Sequence, residues 1–531
     1  MGTAKLLEKL ELSDLAGHVL CYDIYDKDDP AEVEKVLSEI RPGALYLDNM
    51  SYEKIKMYTD MANKYTKIPV AIVTDVEYGP GENMSGLPVL PNVMAWSACD
   101  DERLIEKAAE ITAKICRLHG ISWTLSPVVD INMNHNNPLV NIRSASDSPE
   151  QVKRIMGAFL RGIRKNGYMA ATLKHFPGDG VDDRNQHFCT TVNSLSMPEW
   201  RKTFGNVYRH MIAEGADSVM CAHIGLPTYA NEGDELGAVS AVLSKPLMTE
   251  LLKGELGFDG CIISDAMSMV GSAARVDLDE LAVTFLNCGG DMVLFNEPED
   301  HSLIMNAVEN GILPLERLRD AASRIIELKK KARLFENQSD VLSEITETKD
   351  ELIRQLEVIG DEIAEKSIKF VRNTENLLPL RAKPGSKFLC VEISDNEQDM
   401  SVIYDELRKR GYTVEVCRNV GHNEIAKIMN DYDYVLINCT FIGKLGGTMR
   451  AGWGQIGPFW RGYLLKHPRV IFTSFGDPYK LYDYPFLKTY INTFSYTDSS
   501  MRAFVRVLLG ETEMTAKNPV SLKGFFDRET V

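Results

Sequence analysis

From residue 18 to about residue 300, short apolar runs alternate with longer segments whose apolar positions recur every three or four residues. An apolar run of this length, bounded by polar residues, predicts a buried strand. Such runs fall at His18–Ile24, Ala44–Leu47, Pro69–Thr74, Ser122–Ser126, Tyr168–Leu173, Ser218–Ala222, Cys261–Ser264 and Met292–Phe295. Between them, helical spacing predicts helices over Pro30–Ile40, Tyr52–Tyr65, Glu102–His119, Pro149–Lys165 and Pro198–Glu214. Pro30, Pro149 and Pro198 stand in first turns, where a missing N–H costs least. Strands separated by helices over roughly 300 residues predict a (β/α)8 barrel of the TIM type. An open doubly wound sheet gives the same alternation, because periodicity does not report closure.

Residues from about 315 to 372 are charged, with Leu, Ile and Ala at helical spacing, and predict helices packed on the barrel. The segment Leu378-Pro379-Leu380-Arg381-Ala382-Lys383-Pro384-Gly385-Ser386 reads as a loop and a boundary. A second alternation follows, with strands at Phe388–Ile393, Thr413–Val416, Tyr434–Cys439, Val470–Ser474 and Thr489–Thr493. Helices at Ser401–Gly411 and Ser499–Leu509 complete it. The expected organisation is therefore a barrel over 1–315, a helical linker over 316–384 and a smaller α/β sandwich over 385–531.

Composition narrows the function classes. Of 531 residues, 44% are apolar and 25% charged, as in a globular protein. Lys and Arg number 59 against 76 Asp and Glu, a balance of −17, which argues against nucleic acid or an anionic membrane as a partner. The N-terminal stretch has no signal-peptide core, and no uncharged apolar run is long enough to span a bilayer. The ten cysteines are scattered without paired metal-ligand spacing, and several lie in apolar stretches. A cytoplasmic protein with reduced thiols and no structural zinc is expected; the oligomeric state is not legible.

In a barrel, polar residues just after strands gather at one rim. Here they are Asp75, Asp130, Arg143, Lys174, His175, His223 and Asp265. Such a bowl of carboxylates, cations and imidazoles suits a neutral, hydroxyl-rich ligand held by charge-assisted hydrogen bonds. Asp265, directly after an apolar strand, suits a nucleophile; a cap for the following helix is the alternative. His187 lies in a Gly/Asp/Asn-rich loop, where an imidazole exchanges protons near neutrality. The glycines of Gly79–Gly86 miss dinucleotide spacing, and those of Gly443–Thr448 do not form a phosphate loop. Trp453, Phe459, Trp460 and Tyr463 read as packing, with a distal sugar subsite as the alternative.

Several stretches together resemble glycoside hydrolase family 3, in its β-N-acetylglucosaminidase branch. They are Thr74-Asp75-Val76-Glu77, Leu125–Asn132, Asn137-Pro138, Ile142-Arg143-Ser144, Leu173–Gly178, Val219–Ile224, Leu256–Gly260 and Ile263–Met269. The resemblance implies Asp265 as nucleophile and His187 as acid/base in a retaining double displacement. It implies Asp75, Arg143, Lys174 and His175 as the residues holding sugar hydroxyls, and no cofactor or metal. The implied substrate is a small oligosaccharide or conjugate ending in β-linked N-acetylglucosamine, with Met269 a candidate wall for the acetyl methyl.

Two departures matter. The branch places an aspartate two residues before the loop histidine; here that residue is Asn185. An amide accepts the imidazole hydrogen bond but lacks the charge that stabilises imidazolium. Asn185 reads as an introduced substitution, as a natural one for which Asp179, Asp182 or Asp183 supplies the charge, or as the mark of a weakly active sugar-binding protein. A customary arginine after Asp75 is also missing from Glu77–Met84. A phosphorylase is the close alternative to a hydrolase, since an imidazole acid/base does not repel phosphate.

Overall fold

Eight parallel strands follow one another around a ring. They are β1 (Leu20–Tyr25), β2 (Ala44–Asp48), β3 (Ala71–Thr74), β4 (Trp123–Thr124), β5 (Ala170–Phe176), β6 (Ser218–Cys221), β7 (Cys261–Ser264) and β8 (Val293–Leu294). Leu20 pairs with Val293, Cys21 with Ala44, Ala44 with Ala71, Val73 with Trp123, Trp123 with Ala170, and Ser218 with Cys261. A bridge between Ile263 and Met292 joins β7 to the approach of β8 and closes the ring. The barrel, not the open sheet, is therefore the fold. This computed structural model describes every residue except 1, 232, 395–397, 419, 442–448, 453–455 and 530–531.

The strands are buried on both faces, which is why they read as near-continuous apolar runs. Inside the barrel, Trp123 Nε1 donates to Thr172 Oγ1 at 2.7 Å. The helix Pro30–Ile40 starts where expected, with Asp29 accepting from the N–H of Ala31 at 2.8 Å. The helix expected over Pro198–Glu214 is instead two, Met197–Lys202 and Phe204–Ala213. The Thr203 hydroxyl donates to the Glu199 carbonyl at 2.8 Å, competing with the backbone at the break.

The chain divides into two compact units. The first holds residues up to Val89, Ile105–Ile131 and Val152–Leu356; the second holds Leu90–Leu104, Asn132–Gln151 and Glu357–Val531. The helix Leu315–Lys331, placed by the sequence in a linker, packs on β7 and on the helices Thr3–Leu7 and Leu12–His18. At the linker's other end, β9 (Lys369–Asn373) belongs to the second sheet.

That sheet also contains β10 (Lys387–Ser394), β11 (Thr413–Arg418), β12 (Tyr434–Phe441), β13 (Val470–Gly476) and β14 (Thr489–Asn492). The order is β9-β14-β13-β12-β10-β11, with β9 antiparallel to β14 and the rest parallel. Successive residues feed opposite cores: Leu389, Val391, Ile437 and Phe472 on one face, Phe388, Cys390, Leu436 and Ile471 on the other. Phe459 packs in the first of these cores, 5.2 Å from Tyr484, whereas Trp460 is exposed. Trp453 and Gly443–Thr448 lie outside the described residues. No helix among the described residues is long and apolar enough to cross a membrane.

Candidate active site

Lys174 and His175 lie inside β5 rather than just beyond it, and both are buried. Lys174 Nζ is 2.5 Å from Asp75 Oδ1 and 2.8 Å from Glu77 Oε1. Asp75, the residue after β3, also accepts from the Tyr46 hydroxyl of β2 at 2.9 Å. A quarter of its side-chain surface remains open, so a ligand can reach it (25% exposed). Asp130 is fully buried and takes His175 Nδ1–H at 2.7 Å, the His175 N–H at 3.2 Å and the Asp179 N–H at 2.8 Å. A carboxylate on Nδ1 fixes the tautomer and turns Nε2 to a ligand.

Glu77 and Glu82 were not expected at the site. The Glu77 N–H donates to Glu82 Oε2 at 2.6 Å, in the segment where the customary arginine is missing. Burial, then the charges of Glu77 and Asp75, push the Glu82 carboxyl well above the usual range against the pull of Lys174. Asp75 and Glu77 thus share the Lys174 ammonium, and the neighbouring Glu82 carboxyl is pushed toward its protonated form.

Asp265 leaves the end of β7 with its N–H on the Cys221 carbonyl at 2.7 Å. Its Oδ1 accepts from the Ala266 N–H at 2.9 Å. The next helix, Val270–Ala273, is preceded by Met269, so Asp265 is not its cap. Burial pushes the Asp265 carboxyl up. The imidazoles of His223, His175 and His187, with the Ala266 N–H, outweigh it and hold the group below the usual carboxylate value. Asp265 is therefore ionised at neutral pH. Met269, half-buried, sits on the same loop with its N–H on the Ala266 carbonyl at 3.1 Å.

His223 differs from expectation. It is fully buried and donates from Nε2 to the Ala266 carbonyl at 2.9 Å, while burial pushes its pKa down. Through that bond the imidazole braces the peptide that follows Asp265. Arg143 stands on the turn Asn141–Arg143, which groups with the second unit.

His187 lies in the loop after β5. Its Nδ1 is 2.7 Å from Asn185 Oδ1, which also accepts the His187 N–H at 3.0 Å. The amide oxygen therefore fixes the proton on Nδ1 and makes Nε2 the nitrogen that passes a proton. Of the loop carboxylates weighed as substitutes, Asp182 is spent on Arg184, with Nε–Oδ1 at 3.0 Å, and on the Val192 N–H at 2.8 Å. Asp179 Oδ1 accepts the Gly180 N–H at 2.6 Å, and Asp183 is exposed. Thr191 and Val192 then pair with Ile224 and Gly225, which ties the end of the loop to the segment that follows β6. His187 and Asp265 are close enough to interact electrostatically.

Residues 26–328 match the glycosyl hydrolase family 3 N-terminal domain. The chain belongs to glycosyl hydrolase family 3. As a family member it is a glycoside hydrolase, in agreement with the sequence resemblance. A relative from Cellulomonas fimi, a beta-N-acetylglucosaminidase/beta-glucosidase, is 26% identical over 95% of this chain and 92% of its own. The solved beta-glucoside phosphorylase BglX, bound to 2FGlc, is 31% identical with a TM-score of 0.88 over 98% of this chain and 96% of its own. A family 3 beta-N-acetylglucosaminidase from Paenibacillus sp. shares the fold, with a TM-score of 0.82 at 23% identity over 97% of this chain and 99% of its own.

Proposed function

We propose that this enzyme is an exo-acting β-N-acetylglucosaminidase that removes terminal β-linked N-acetylglucosamine with retention of configuration. The observation that carries the reading is one rim bearing an ionised carboxylate, Asp265, and an imidazole, His187, oriented by Asn185. Asp75, Lys174 and His175 hold the hydroxyls of the terminal sugar. Ala266 N–H occupies Asp265 Oδ1, so Oδ2 attacks C1. The C1–O bond breaks as His187 Nε2–H gives its proton to the leaving oxygen, producing a glycosyl-aspartate. His187 then takes a proton from water, whose oxygen displaces Asp265 and restores the β-configuration. Met269 supplies an apolar wall for the acetyl methyl. The C. fimi relative's name supports N-acetylglucosamine and makes β-glucosides the competing substrate class.

Phosphorolysis is the second reading, favoured by a particular feature of the dyad. Neither His187 nor Asn185 carries a negative charge, so a phosphate dianion meets no carboxylate acid/base at the second step. The full-length similarity to a phosphorylase supports it. Aryl β-N-acetylglucosaminide and aryl β-glucoside, each incubated with and without phosphate, separate the readings. Free N-acetylglucosamine at a phosphate-independent rate is expected. A sugar 1-phosphate replaces the hydrolytic reading, and no turnover of either glycoside overturns both.

The same assay tests the dyad. Restoring a charge behind the imidazole with Asn185→Asp is expected to raise hydrolytic kcat about ten- to a hundredfold, since an uncharged partner costs far more in a serine-protease triad. An unchanged kcat removes Asn185 from the acid/base pair.

A further inference from the structure

We propose that Phe188 and Val270 form an apolar platform for the leaving group, so that the enzyme favours β-glycosides whose aglycone presents an apolar face, aromatic rings first. The inference rests on the reading of His187 as the group that protonates the leaving oxygen. An atom receiving a proton from His187 lies within hydrogen-bond distance of it. Whatever that oxygen carries then emerges beside the loop that bears His187 and, next in the chain, the exposed Phe188.

Phe188 is 55% exposed, and Val270, which follows Met269 on the Asp265 loop, is 50% exposed. Single exposed apolar residues are ordinary, but these two stand on loops that abut. Thr190 Oγ1 donates to the Gly271 carbonyl at 2.8 Å. A Cβ on Gly271 would lie 3.4 Å from the Cys189 carbonyl carbon and 2.7 Å from His223 Cβ. Glycine at 271 therefore permits the close approach that sets Val270 beside the segment following Phe188. The nearest charges on the His187 loop cancel in part, because Asp182 is paired with Arg184. Phe188 and Val270 thus put exposed apolar surface on two abutting loops next to the proposed proton donor, where the groups elsewhere on the rim are ionic.

Binding of non-hydrolysable thioglycosides tests the platform without turnover. Calorimetry on the full chain compares phenyl and methyl 1-thio-β-N-acetylglucosaminides, which differ only beyond the sulfur. Wild type is expected to bind the phenyl compound about tenfold tighter, since stacking half a ring buries about 50 Å² of apolar surface. Phe188→Ala is expected to erase most of that preference and Val270→Ser about half of it, with the Kd for the methyl compound unchanged. Wild type without a phenyl preference, or a preference that survives both substitutions, overturns the proposal. An equal loss of both ligands in both variants also overturns it, because the residues then act on the sugar side. Failure of the hydrolytic reading shows separately, as absent turnover of aryl glycosides by a protein whose phenyl-to-methyl binding ratio is still measurable.

Discussion

Asp265→Ala is expected to lower kcat/KM on an aryl β-N-acetylglucosaminide by at least about 10⁴-fold, since removing a covalent nucleophile leaves only binding and proton transfer. The substitution also opens space beneath C1, so azide should restore part of the rate. Azide would enter from the face Asp265 vacates and yield the α-glycosyl azide, of inverted configuration, with the aryloxide as leaving group. A damaged loop gives no such rescue, which separates loss of the nucleophile from loss of structure. Full activity in Asp265→Ala, or a rescued product of β-configuration, would remove the residue from the chemistry. The pH profile gives a second check. Burial raises the Asp265 carboxyl, yet the surrounding imidazoles and the Ala266 N–H bring it below the ordinary carboxylate value. Activity should therefore persist on the acid side until the pH falls below the ordinary carboxylate pKa of about 3.9.

What the sequence showed of this site, and what it hid, follows from local and non-local physics. Parallel strands buried on both faces leave apolar runs, so the barrel strands were legible one by one. Closure was not, because it rests on Ile263 meeting Met292, a contact no periodicity records. Residues at strand ends were legible as a set: Asp75 and Asp265 do follow their strands directly, while Lys174 and His175 lie within the last residues of β5 itself. Their partners were not: nothing in the sequence says that Tyr46 reaches Asp75 or that Glu77 shares Lys174. His223 shows the limit most plainly, since a histidine after a strand reads alike whether it faces a ligand or braces the next loop. The helix Val93–Cys99 escaped notice because nearly all of it is buried, which erases the polar face that marks a helix. Residues 132–151, including Arg143, follow a barrel strand in sequence yet belong to the second unit. That assignment depends on packing between distant segments, such as Asn141 Nδ2 donating to Asp477 Oδ1 at 3.2 Å.

The helix Leu315–Lys331 carries a buried cation whose removal should stabilise the fold. Lys329-Lys330-Lys331 reads as a solvated helix end, favourable to the helix dipole. Helical spacing says otherwise for the first of the three: Leu318, Ala322, Ile325 and Lys329 share one stripe, and all are buried. Lys329 is fully enclosed, and its Nζ has no hydrogen-bond partner among the described residues. Burial lowers its pKa from 10.5 to about 7, against small opposing effects of Cys21 and Cys261; buried His18 is a further titratable neighbour. The unfolded chain thus holds a proton here between pH 7 and 10.5 that the folded chain lacks. Lys329 therefore destabilises fully below about pH 7, and the penalty fades as pH rises toward 10.5. Lys329→Met keeps the stem's length and removes the amine. At pH 7 it should raise the unfolding free energy by about 3–5 kcal/mol, taking 1.36 kcal/mol per pH unit as the upper bound. Denaturant unfolding from pH 6 to 10 measures both parts of the expectation: a higher midpoint in the variant, and a gap that narrows as pH rises. A destabilised variant, or a gap constant with pH, would mean that the ammonium is held as a charge inside the barrel wall.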